Sequence, residues 1–183
     1  MKKILALVMA LAMLLVSASA FAEAAYTYTE YSYDESLFTE IVGEWLAMED
    51  LGLMFYLPDI YMAAEVPEAL VEVGTIALFA TEDGSSYMTI AYGPALNAEG
   101  NAAATVEELA AYLTAIGSSN VDVIIVNGIP VVTSMNVEND TLAYSVFYED
   151  GTQCLISFAP ASDATTALMG GLTLSTLMAA VVE

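Results

Sequence analysis

Apolar residues alternate at Leu51, Leu53, Phe55 and Leu57 and stop at Pro58. A period of two predicts a strand over 51–57 with a proline stop. Residues 75–81 and 86–93 read as a β-hairpin, with Glu82-Asp83-Gly84-Ser85 as its turn and the glycine available for positive φ. The stretch 94–104, rich in Gly, Asn and Ala, reads as loop. Thr105-Val106-Glu107-Glu108 is then a capping box, with threonine at the cap and glutamate three residues on. Val106, Leu109, Ala110, Leu113 and Ile116 share one helical face, and Gly117 ends the helix.

Four strands follow, at 121–126, 129–135, 141–148 and 153–159. Their turns are Asn127-Gly128, Asn139-Asp140 and Glu149-Asp150-Gly151, the first being the strongest two-residue hairpin signal. Pro130 removes one ladder donor and suggests that its strand begins at a sheet edge. Alternation puts Cys154, Ile156 and Phe158 on one face, which makes Cys154 a small buried residue rather than a reactive thiol. After Pro160, Ser162 or Asp163 can cap a last helix running to about residue 181. Gly170-Gly171 should weaken or bend it by about 1 kcal/mol each unless close packing compensates.

At the start of the chain, Lys2 and Lys3 precede an apolar run from residue 4 to 16 and the small-residue segment 17–22. That order reads as a secretory signal peptide over 1–22. The alternative is an uncleaved anchor, although a membrane span needs about 20 residues. Residues 23–44 read as a flexible acidic, tyrosine-rich leader, in which EAAYTYTEYSY serves as a linker, as a strand added to a sheet edge, or as a sticky aromatic segment. Leu37, Phe38, Ile41, Val42 and Trp45 fit a helical face, while Leu37, Thr39, Ile41 and Gly43 fit a strand. Residues 45–183 then form a single α+β domain, an antiparallel sheet of about six strands flanked by helices.

The chain's 183 residues are 58% hydrophobic, enough for one independent core. Its 24 acidic residues all follow residue 22, and its only two basic residues are Lys2 and Lys3; there is no histidine. Once the signal is removed no basic side chain remains. That excludes Schiff-base lysines, Walker-type phosphate loops, arginine clamps, histidine bases and histidine-ligated zinc. Nucleic acid and anionic membrane surfaces would be repelled. A cationic protein and divalent cations are the partners that charge allows. Trypsin-like proteases, which cut after Lys or Arg, find no site beyond Lys3. Twenty-four like charges should also oppose compaction, so added salt should stabilise the fold.

Several segments resemble the PsbP-like fold, shared by a photosystem extrinsic protein and a Ran-binding import factor. They are LGLMFYLPD (51–59), TVEEL (105–109), VDVIIVNGIPVVT (121–133), YSVFYEDGTQCLISFAP (144–160) and the terminal helix. The resemblance implies an α/β/α sandwich over about 45–182. Because that fold's members are mostly non-enzymatic, it also implies a binding or assembly role. It carries over no site residue.

The leading expectation is therefore an exported, non-catalytic binding or surface-assembly module without a cofactor. A calcium-binding extracellular module is the alternative. Hard cations want six to eight oxygens, and Asn136, Glu138, Asn139 and Asp140 cluster in one turn, with Glu149 and Asp150 in another and Glu82-Asp83 in a third. These are also residues that turns use for their own geometry, and none matches an EF-hand. A glycosidase is the third reading. It would need two carboxyls about 5 to 9.5 Å apart, which the adjacent acidic pairs cannot supply alone.

Overall fold

The computed structural model describes residues 28–31 and 41–180. The expected signal peptide over 1–22, most of the expected leader and the part of its ambiguous segment before Ile41 lie outside these residues. Eleven strands and three helices are described. The strands are β1 (Thr29–Tyr31), β2 (Gly43–Met48), β3 (Leu53–Pro58), β4 (Met62–Ala64), β5 (Thr75–Ala80), β6 (Tyr87–Pro94), β7 (Ser119–Val126), β8 (Ile129–Asn136), β9 (Thr141–Phe147), β10 (Thr152–Ala159) and β11 (Met178–Ala179). The helices are α1 (Glu68–Val71), α2 (Val106–Ala115) and α3 (Ala164–Thr176). None is long and apolar enough to cross a membrane.

The expected α+β class holds, but the sheet is larger than about six strands. It has eight, in the order β1-β7-β8-β9-β10-β6-β5-β4, and β11-β3-β2 form a separate three-stranded sheet. The additions β1 and β4 are three residues each, all of them exposed, and too short for any hydrophobic period to reveal. β1 comes from the tyrosine-rich leader and pairs with β7 in parallel, the edge-strand form of that segment. Of the segment with two readings around residue 41, Ile41 and Val42 belong to no regular element, and Gly43 opens β2.

Turn chemistry fixes the connections. Asn127 and Gly128, both at positive φ (48° and 83°), close β7 onto β8, as a two-residue turn between right-twisted strands requires. β8 is an internal strand, contrary to the edge position suggested by Pro130. Pro130 stands opposite Ile125, and the β9 register begins one residue later at Val131↔Val146. The missing N–H thus falls beyond the end of that ladder. The Thr105 side chain accepts from the Glu108 N–H, and the Glu108 carboxylate accepts from the Ala104 N–H at 2.8 Å. At the other end of α2, Gly117 has φ +92° and the Ser118 N–H reaches the Leu113 carbonyl. This is a Schellman stop.

One face of the large sheet packs on α3 and the small sheet. Phe55, Met88, Ile90, Val126, Val131, Ile156 and Phe158 are buried there, and Cys154 sits among them at 0% exposure. α3 is capped by Asp163, whose carboxylate accepts from the Thr165 and Thr166 N–H groups. The helix ends at Thr176, not near residue 181. Thr176 turns its hydroxyl to the Leu172 carbonyl and accepts the Tyr56 N–H, and the chain then extends so that Met178 and Ala179 pair with β3. The Asn127 side chain takes up the Leu177 carbonyl at 2.7 Å.

Candidate functional site

The opposite face of the large sheet is covered only in part. α2 lies over β7 and β8, burying Val106, Leu109 and Ala110 against Val123 and Val132. Beyond β8 the described residues add only the four-residue α1, which touches β5 at the far side of this face. Cross-strand register sets out what is left open: Ala64, Leu78, Thr89, Ser157 and Ala143 stand side by side across β4, β5, β6, β10 and β9. Met62, Ala80, Tyr87 and Ala159 form the next row. Strands five, six, eight, nine and ten carry no charged residue on either face. An open antiparallel face ordinarily alternates apolar-in with polar or charged-out. Here the outward positions are Ala, Leu, Met, Ser, Thr and Tyr.

This surface is a depression of about 680 Å³, floored by Leu78, Ala80, Tyr87, Thr89, Thr141 and Ser157, with Thr75 at one end. Leu70 of α1, Gly84 of the β5–β6 turn and Asn139 of the β8–β9 turn form its rim. Tyr87 is 43% exposed, the largest side chain on the floor. Across the four strands β9, β10, β6 and β5 the floor spans about 14 Å, at about 4.8 Å per strand.

The rim is held rigidly. Asp83 accepts from the Thr81 hydroxyl (2.8 Å), the Ser85 N–H (3.0 Å) and the Ser85 hydroxyl (2.7 Å). Those hydrogen bonds, the Ser85 side chain first, pull its pKa down to about 2. Below the turn, Ser86 shares hydrogen bonds of 2.8 Å with Tyr61 and Thr166, locking strand to helix; burial raises the Tyr61 pKa. On the other rim, Asp140 sits at φ 49° and accepts from both the N–H and the hydroxyl of Ser162.

The candidate cation ligands separate into two groups. Glu138, Asn139 and Asp140 lie at one end of β9, while Glu149 and Asp150 lie at the other, about 20 Å away for a strand of this length. Asp150 accepts from the Thr152 N–H (3.0 Å) and hydroxyl, which lowers its pKa. Asn136 accepts the Asn139 N–H at 3.0 Å. Among the described residues no three His, Cys, Asp or Glu side chains converge. Asn139 alone of the five lines the depression. The floor residues themselves went unnoticed in the sequence. The available signal was the confinement of acids to turns over 75–94 and 129–159, which leaves strands without charge on the face turned away from the core.

No protein-family model matches the chain, and no curated protein matches it by sequence. Among solved structures, cyanobacterial PsbP (CyanoP) from Synechocystis is similar over 78% of this chain and 96% of its own, at 13% identity and a TM-score of 0.52. The Ran-binding protein Mog1p of Saccharomyces cerevisiae is similar over 76% of this chain and 96% of its own, at 11% identity and a TM-score of 0.43. A Bacteroides thetaiotaomicron protein is similar over 76% of this chain and 49% of its own, at 15% identity and a TM-score of 0.44. The first likeness, together with the order of strands and helices, gives this chain the PsbP-like fold.

Proposed function

We propose that the protein is an exported, non-catalytic binding or assembly module that presents the open face of β4, β5, β6, β10 and β9 to a partner. The observation that carries this reading is the uncharged depression in a chain with 24 acids. A sheet face without charge or cover gains by excluding water against another surface. The floor holds no carboxylate, histidine, lysine or cysteine, so it offers no proton-transfer pair or nucleophile of the usual kinds. The PsbP-like fold favours the same reading, and export rests on the sequence of residues 1–22.

The test is a photo-crosslinking amino acid at Tyr87, with Leu168 on the outer side of α3 as the control position. A discrete adduct from position 87 and none from 168, formed in the producing cells, is the expected result. Adducts from both positions alike, or from neither, would remove the open face as the binding surface. A panel of chromogenic glycosides should remain uncleaved.

A further inference from the structure

No acid lines the depression itself, but acidic residues stand one or two positions along the chain from each of its three rim residues. Leu70 stands between Glu68 and Glu72, Gly84 follows Glu82-Asp83, and Asn139 stands between Glu138 and Asp140. On the far side of the β5–β6 turn lies a separate opening of about 730 Å³, lined in part by Asp59, Glu82, Asp83 and Thr165 of α3. The site is thus a neutral floor of about 14 Å whose surrounding helix and turns carry acids, an anionic wall set one or two residues back from the lining. We propose that its occupant is a cationic polypeptide segment, with small apolar side chains against Leu78, Ala80, Tyr87 and Thr89 and Lys or Arg heads reaching the wall. This rests on the binding-module reading above and specifies its partner.

Charge selects that occupant. Residues 4–183 contain no Lys, Arg or His, so a second copy of this chain brings acids to acids and has no cation to offer. An acidic or phosphorylated ligand would meet the same wall. A basic segment instead gains long-range attraction from the whole molecule and local pairing at the rim. An extended peptide rises about 3.3 Å per residue, so the floor accommodates four or five residues. Alternation then sends every second side chain to the floor and the others away from it, where only long Lys or Arg stems can bend over to the acids around the rim.

The test is calorimetric titration of the protein, in the form its producing cells accumulate, with the peptide Lys-Leu-Lys-Leu-Lys and its Glu-Leu counterpart. The lysine peptide should bind, weakening about tenfold as salt screens the wall, and the glutamate peptide should not. Tyr87→Lys and Thr89→Lys should each weaken binding about tenfold or more, whereas Leu168→Lys adds the same charge on the other side of the sheet and should change it less than twofold. Tyr87 is already 43% exposed, so its replacement leaves the core intact. Equal losses in all three variants would mean that net charge alone holds the peptide, and the inference falls. Displacement of the peptide by micromolar calcium at constant ionic strength would replace the polypeptide with a divalent cation. A partner crosslinked at position 87 that contacts the floor through a neutral or acidic segment would overturn this inference while leaving the binding-module reading standing.

Discussion

Cys154 shows how a single position reports its surroundings. It faces Tyr92 and Val146 across its two neighbouring strands, is fully buried, and burial pushes its thiol pKa up to about 12. The thiolate is the reactive species, so iodoacetamide should leave the native protein unmodified and alkylate it stoichiometrically in denaturant; native-state labelling within minutes would contradict the packing. Gly170 and Gly171 differ in the same local way. A Cβ on Gly170 would lie 3.0 Å from Leu142 and 3.2 Å from the Tyr144 hydroxyl, while one on Gly171 meets nothing within 4 Å. Gly171→Ala should therefore stabilise by roughly 0.5–1 kcal/mol through helix propensity. Gly170→Val should destabilise by about 1–3 kcal/mol through overpacking. Denaturant midpoints of the two variants should move in opposite directions.

Among the elements, legibility followed the strength of local chemistry. α2 was readable because its threonine cap, its Glu108 and its Gly117 stop all act within a few residues of one another. The hairpin at Asn127-Gly128 was readable for the same reason. β4 and β11 were not, and β1 was only one of three readings of its segment, because strands of two or three residues owe their existence to a neighbour that is distant in sequence. The end of α3 was misjudged because the residues after Thr176 remain apolar, and only the pairing of Met178 with Met54 reveals that they leave the helix. The open face escaped notice because its rows combine residues from as many as five strands. What the sequence did contain was the absence of charge from both faces of those strands. The Thr105 cap can be tested directly: Thr105→Ala removes the acceptor for the Glu108 N–H and should cost about 1 kcal/mol in urea unfolding.

At the scale of the whole molecule, charge sets the response to salt and acid. A pair of like charges 10 Å apart in water repels by about 0.4 kcal/mol, and twenty-four acids on one chain make many such pairs. Melting temperature should accordingly rise with sodium chloride, and a steady fall would refute the repulsion argument. Acid has two opposed effects. Ordinary carboxylates protonating near pH 4 to 5 relieve repulsion and should raise stability. Asp83, Glu107 and Asp150 have depressed pKa values in the folded state, from Ser85, Tyr28 and Thr152 respectively. Their contribution is present above about pH 4 and is lost as pH falls toward 2, where Asp83 finally protonates. Melts across pH should thus show a maximum near pH 4 and a decline below about pH 3. The eight-pair ladder between β6 and β10 joins the two sequence-distant halves of the groove floor, residues 75–94 and 141–159. A fragment clipped between them, or a chain still emerging from the ribosome, carries only half of the surface. On the proposed reading, peptide binding would double as an assay for completed folding, and basic proteins met earlier in synthesis would encounter no assembled site to occupy.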